Sequence, residues 1–142
     1  MFRGIDLANS RWGGAVISGC RFLDCRLTGA AFTKVRGIGY EFARCLLKMA
    51  TLPGLDLSGQ RLVRLNFSGA DLGGANFTNA IFDECSLHGA NLRGAKFTGA
   101  DLRGANLGDI SLNDTPNLKG AIISVAQANT LLAGLGLQVL PE

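Results

Sequence analysis

Ala90-Asn91-Leu92-Arg93-Gly94, Ala95-Lys96-Phe97-Thr98-Gly99, Ala100-Asp101-Leu102-Arg103-Gly104 and Ala105-Asn106-Leu107 are one five-residue unit, written three times and begun a fourth. Stepping by five from Leu92 in both directions reaches Phe2 at one end and Leu112 at the other. Of these 23 central positions, 22 are large and apolar, and all eight phenylalanines of the chain fall among them. A composition only 47% hydrophobic does not produce that by chance. Two residues before the centre the residue is mostly small and apolar, as at Ala15, Cys20, Cys25, Ala30, Cys45 and Ala70. Between the two sits a polar residue such as Asp6, Asp56, Asn66 or Asn76. Two residues after the centre stand 13 of the 20 glycines.

A period of five fits neither the 3.6 of a helix nor the plain 2 of a strand. It fits a short extended side followed by a corner. The small residue and the centre share one strand face and point inward, the polar residue between them points out, and glycine lets the chain turn. Four sides close a square coil of twenty residues, and coils stack at strand spacing of about 4.8 Å. Twenty-three units make five to six coils, a rod of roughly 25 Å. Repeats of this kind bury a core only by stacking on one another.

On these residues, the pattern over 2–112 resembles the pentapeptide-repeat proteins. The resemblance implies an all-β solenoid, a right-handed quadrilateral β-helix. From Val35 to Arg64 the pattern weakens: Gly37 replaces an apolar centre, and Tyr40 and Gln60 take small-residue positions. The Tyr40 ring is placed to fill the space left at Gly37, with Gln60 one coil beyond it and within reach of its hydroxyl. This segment reads as a packing compensation, or as a bulge and recognition surface.

The repeat ends near Leu112, with Thr115-Pro116 as a break. The chain divides into a solenoid over 1–114 and a C-terminal module over 115–142. Ser124 is placed to cap a helix in which Val125, Ala128, Leu131, Leu132 and Leu135 recur at helical spacing. Gly134 and Gly136 end it, and Leu137–Leu140 alternates as a short strand does. A solenoid's last coil needs such a cap. The stretch from Ala121 to Leu140 carries no charge and has the length of a membrane span. Its Ser124, Gln127, Asn129, Thr130 and Gln138 favour the cap instead, so no membrane association is expected. This module is similar to that of Qnr-like quinolone-resistance proteins, on Gln127, Ala128, Leu131, Leu132, Leu135, Gly136 and Val139. That likeness implies a homodimer formed through Gln127, Ala128, Leu131, Leu132, Leu135 and Val139. It also brings type II topoisomerase (DNA gyrase or topoisomerase IV) into view as a protein target.

Chemistry is not expected. The one histidine, His88, falls on an outward corner position, and the chain has no Walker loop, nucleophile elbow or His-Glu-x-x-His. No cofactor or metal is implied. The four cysteines occupy inward positions as small core residues. The opening MFRGIDLANSRW has no apolar run of the secretory kind, which points to a reducing, cytoplasmic setting. The net charge is +3, divided as +6 over residues 1–65 and −3 over 66–142. Outward columns place opposite signs next to each other and never two acids on adjacent coils, as in Asp24-Arg44-Arg64-Glu84 and Arg21-Glu41-Arg61-Ile81-Asp101. A duplex-DNA mimic needs rows of uncompensated carboxylates, which these columns lack. Nucleic-acid binding is disfavoured because the basic residues spread over all four faces, without outward aromatics. The reading that remains is a non-catalytic protein–protein interaction scaffold.

Overall fold

The computed structural model describes residues 1–108 and 118–142. Leu112, Thr115, Pro116 and the boundary expected at 114/115 lie outside the described residues. The chain winds as a right-handed quadrilateral β-helix. The sides are named here by their centres. The first runs through Phe2, Phe22, Phe42, Leu62, Phe82 and Leu102, and the second through Leu7, Leu27, Leu47, Phe67, Leu87 and Leu107. The third runs through Trp12, Phe32, Leu52, Leu72 and Leu92, and the fourth through Ile17, Gly37, Leu57, Phe77 and Phe97.

Pairing between coils is parallel at an offset of twenty. On the first side, strands β1 (Phe2–Arg3), β2 (Arg21–Leu23) and β3 (Glu41–Ala43) form one sheet with Phe2, Phe22 and Phe42 in register. β4 (Arg61–Val63) and β5 (Ile81–Asp83) form another. On the second side β6 (Cys85–Ser86) pairs with β7 (Ala105–Asn106). Single bridges at the outward residues carry the second and third sides, as in Asp6–Arg26–Leu46–Asn66–Ser86 and Arg11–Ala31–Thr51–Asp71–Asn91.

The outward Asp or Asn has a local task. Its side-chain oxygen accepts the N–H two residues on, as Asp6 does from Ala8, Asn76 from Thr78 and Asn91 from Arg93. This Asx turn bends the chain toward the corner. At three of the four corners the turn then closes with a backbone bond, such as Ala95 N–H to Leu92 C=O at 3.0 Å.

Inward side chains fill the coil completely. No polar or charged residue is buried among the described residues. Aromatic rings stack up three columns: Phe2, Phe22 and Phe42 at centroid spacings of 5.1 and 4.9 Å, Trp12 on Phe32 at 5.5 Å, and Phe77 on Phe97 at 5.2 Å. Between columns they meet edge to face, as Phe22 meets Phe32 at 5.8 Å. Such pairs add about 0.5–1.5 kcal/mol beyond their buried area. Trp12 stays half-exposed at the open N-terminal end and donates its indole N–H to Ser10 at 2.8 Å.

At the other end the coil gains one residue. Asp101 bridges Ile122, an offset of 21, where the rest of the rod keeps 20. Helix α1 (Val125–Ala133) follows. Ser124 caps it as expected, in a full capping box with Gln127, and Gly134 ends it. One expectation fails: Leu137–Leu140 forms no strand. A strand exists only by pairing, and no open edge of this chain meets it. No described helix is long and apolar enough to cross a membrane.

Phe22→Ala removes a fully buried ring from the centre of both stacking patterns. It should cost about 3–5 kcal/mol, read as a lower urea midpoint. A change below about 1 kcal/mol would mean that the ring columns do not hold the coil together.

Candidate functional site

Four features were candidates for function: the cysteines and His88, the charge columns, the segment around Tyr40, and the tail. His88 is exposed on the surface of the second side. No group of three His, Cys, Asp or Glu close enough to hold a metal occurs among the described residues.

The cysteines have a backbone role that the sequence reading missed. Cys25, Cys45 and Cys85 line up behind the corner after the first side. Between Gly4 and Gly104 that corner carries Asp24, Arg44, Arg64 and Glu84 instead of glycine, and over these four coils it makes no backbone turn bond, whereas at Gly104 Ala105 N–H bonds Leu102 C=O at 3.0 Å. The thiols serve its carbonyls. Cys45 Sγ lies 3.2 Å from the oxygens of both Phe22 and Ala43, and Cys85 Sγ lies 3.2 Å from Leu62 O. Burial pushes the Cys45 thiol up to about 11, and shifts Cys85 in the same direction. All four cysteines are free.

The charge columns form the ion pairs that stacking at twenty residues dictates. Arg44 Nε is 2.7 Å from Asp24, Arg64 Nε 2.9 Å from Glu84, Arg21 Nε 3.0 Å from Glu41, and Arg26 Nη1 3.1 Å from Asp6. The Arg44 guanidinium holds the Asp24 carboxyl below the usual carboxylate range. Arg61 departs from its column. It turns to Asp83, 22 residues on, at 2.8 Å.

That departure marks the step at Tyr40. Gly37 takes φ +120°, and a Cβ there would stand 2.6 Å from the Ser18 nitrogen, so no side chain can occupy this inward position. Tyr40, one corner later, is 5% exposed and enters the core beside Phe42. Its hydroxyl accepts the Asp56 N–H at 2.7 Å. Burial pushes this hydroxyl above its ordinary value. The expected Gln60–hydroxyl contact is not the one formed: Gln60 Nε2 donates to the Tyr40 carbonyl at 3.0 Å. Gln60 has displaced the backbone partner that this carbonyl would otherwise take, the N–H of Arg61. On the coil above, Ile81 N–H does bond Gln60 O, at 2.9 Å.

The ladder therefore opens at this step. β3 and β4 form no ladder, being joined only at their ends by Arg44 N–H to Val63 C=O at 2.8 Å, and Arg36 does not bridge Asp56, although both side columns continue above and below. Two opposite-sign column neighbours straddle the opening, Arg36 with Asp56 and Glu41 with Arg61. Neither makes an ion pair among the described residues, where Asp24–Arg44 and Arg21–Glu41 on closed steps do. Shallow cavities of about 240 and 420 Å³ flank Tyr40 and Gln60 on the fourth and first sides.

The tail residues divide in two. Gln127 Nε2 donates to Leu102 O at 2.7 Å and Ala105 O at 2.9 Å, so it closes the last coil as well as the helix cap. Leu131 lines the seam between helix and coil with it, and Ala128 is half-buried. Leu132, Leu135 and Val139 lie on the outside, with Val125, Leu137 and Leu140, all exposed.

With this geometry in view, the comparisons with known proteins are consistent. A family model described as pentapeptide repeats matches residues 2–36, 41–79 and 70–109, in eight copies. The structure of QnrB1, a plasmid-mediated fluoroquinolone resistance protein (an R167E, trypsin-treated form), is similar. It has a TM-score of 0.61 and 23% identity, over 95% of this chain and 65% of that one. The chain thus spans just under two thirds of that relative's length. The pentapeptide repeat protein Rfr23 from the cyanobacterium Cyanothece 51142 gives a TM-score of 0.51 at 15% identity, over 80% and 91% of the two chains. At these identities the likeness carries the fold. No curated protein matches the sequence.

The thiol geometry makes a prediction. At mildly alkaline pH, Ellman's reagent should modify half-exposed Cys20 while Cys25, Cys45 and Cys85 stay unreacted until the chain unfolds. The Cys45 value is raised in the fold, so its stabilising contribution is complete below about pH 9 and is lost as pH rises toward 11. Simultaneous reaction of all four thiols in the folded protein would contradict this placement.

Proposed function

The chain belongs to the pentapeptide-repeat family, and on that premise we propose that it is a non-catalytic protein-binding rod, paired with a second copy through its C-terminal module. The observation that carries the reading is the outward apolar face of the tail. Leu132, Leu135, Leu137, Val139 and Leu140 follow one another on a segment with no basic or acidic residue before Glu142. Apolar surface gathered in one place marks an interface. The inward half of the module is already spent on the last coil through Gln127, which leaves the outward half for a partner surface.

A second copy fits that face. It offers the same apolar residues, and a two-fold interface is self-complementary. It also supplies what Leu137–Leu140 lacks, a strand edge to pair with. Gln127, Ala128 and Leu131 position the module on the rod, and Leu132, Leu135 and Val139 make the contact. The free thiols suit a reducing compartment such as the cytoplasm.

A second reading keeps a type II topoisomerase as the partner, with protection from quinolones. It is favoured by the fold likeness to QnrB1 over 95% of this chain. The ion-paired columns speak against a DNA-mimicking surface, so such binding would use another face. Titrating the purified protein into gyrase supercoiling assays with a quinolone present decides it. Rescue of supercoiling places the chain with the protectors; no effect removes the reading.

The dimer predicts a light-scattering mass near twice the chain mass of 14.9 kDa. L132E/L135E should halve it while far-UV circular dichroism stays unchanged. A wild-type monomer at micromolar concentration would refute the pairing.

A further inference from the structure

The opening beside Tyr40 creates a surface that the tail does not explain. The cavity of about 420 Å³ on the first side is lined by Arg3, Arg21, Arg44 and Arg61, with Glu41 as its only carboxylate residue. It spans the place where β3 and β4 fail to pair. We propose that this cleft binds an extended acidic segment of a partner protein, whose spaced carboxylates engage these arginines. The proposal rests on the protein-binding reading for its class of partner, but on a different face from the dimer.

Three observations support it. First, the guanidinium is the side chain that matches a carboxylate through two parallel hydrogen bonds, and four of them converge here. Arg3 makes no ion pair among the described residues. The others are held outward by Glu41, Asp24 and Asp83 in pairs exposed on both sides, with side-chain exposures of 53/52%, 42/48% and 70/37%. Exposed pairs contribute little, so exchanging one for a partner's carboxylate costs little. Meanwhile they keep the arginines extended and in place.

Second, the cleft offers main chain. Gln60 has taken the Tyr40 carbonyl, which leaves the Arg61 N–H without the backbone partner that Glu41 and Ile81 have. One such donor is available to a peptide carbonyl lying along the surface of the cleft. Third, the charge pattern selects among anions. Glu41 stands inside the cleft, and Asp24 and Asp83 flank it. A uniformly charged polyanion such as duplex DNA would meet those carboxylates. A peptide with neutral residues between its acids does not. No outward aromatic is present to stack bases.

The probe is a fluorescein-labelled octapeptide of alternating Glu and Thr, followed by anisotropy. An alternating Lys and Thr octapeptide, inorganic phosphate and a short DNA duplex serve as comparisons. The acidic peptide should bind alone among them, and weaken as NaCl rises from about 50 to about 500 mM. Affinity should fall about tenfold or more in R3A/R61A and in R3E, and stay unchanged in R93A/K96A, which lies on the third and fourth sides. Arg3 is in no ion pair among the described residues but lies near enough to Asp24 to help lower its carboxyl, so R3A accompanies R3E and tests the cleft without setting an acid beside the Asp24–Arg44 pair, even where R61A strains the coil. The proposal is overturned if the acidic peptide does not bind, if R3E and R3A/R61A bind it normally, or if the duplex binds tighter. Light scattering on the same samples separates the two readings. A dimer that ignores the peptide sinks the cleft alone, and a monomer that binds it sinks the dimer alone.

Discussion

From residue 4 to residue 99, every fifth residue holds φ between +51° and +74°, twenty corners in succession. The square coil closes only if the chain turns left-handed at each of them, and the rest of the structure is built on that requirement. An L-residue in this conformation costs about 1–2 kcal/mol, which is why glycine takes twelve of the twenty. The eight others show what offsets the strain. Asn9 and Asn79 tolerate the conformation locally. Asp24, Arg44, Arg64 and Glu84 stand at one corner, where the side chains ion-pair up the column and thiols of the following residues serve the open carbonyls. Where glycine is missing, between Gly4 and Gly104, this corner becomes a charged edge four coils long, and the recurrence of cysteine behind it has the same cause.

The step at Tyr40 shows two demands in competition. Stacking asks every side to pair with the next, and packing asks every inward position to be filled. Gly37 cannot carry a side chain, because Ser18 lies against it. The void left there would forfeit contacts on all its walls. Tyr40 fills it from the next corner, and its ring brings a hydroxyl that must be satisfied inside the coil. The Asp56 N–H satisfies it, and the Tyr40 carbonyl goes to Gln60. Packing wins, and pairing is surrendered over two sides. What is a defect for the ladder is a cleft for a ligand. Glu41 and Arg61 find their ion-pair partners on the coils away from the step, Arg21 and Asp83, so no ion pair of the described residues crosses this opening.

Most of this was legible in the residues. The period of five places the buried centres, and the offset of twenty places Asp24 beneath Arg44 and Arg64 beneath Glu84 from the sequence alone. Ser124 announced the helix. The parts that were not legible depend on which of two atoms of one residue is reached. That Gln60 would meet Tyr40 follows from the column; that it takes the carbonyl follows from how deep the ring sits. Arg61 leaves its column for Asp83 because the step beneath it is open, which requires the cleft to be known first. The cysteines read as small core residues, and the carbonyls they serve appear only once the corner lacking a turn bond is seen. Leu137–Leu140 has the alternation of a strand, but alternation describes the faces of a strand and not its neighbour.

The two ends of the rod bear differently on assembly. A solenoid is a stack that any further coil could extend, and its last edge must be answered by something other than a coil. Here one extra residue before Ile122 takes the chain out of the register of twenty, and Gln127 then occupies the carbonyls of Leu102 and Ala105. A single polar side chain thus binds the last coil and shares the helix cap with Ser124, while the exposed Leu132 and Leu135 take part in neither task. Had the helix been only a plug, its outward face would be polar, as the outward faces of the coils are. Leu132 and Leu135 instead lie exposed on the outside, so the element that follows the last coil also carries an outward apolar face.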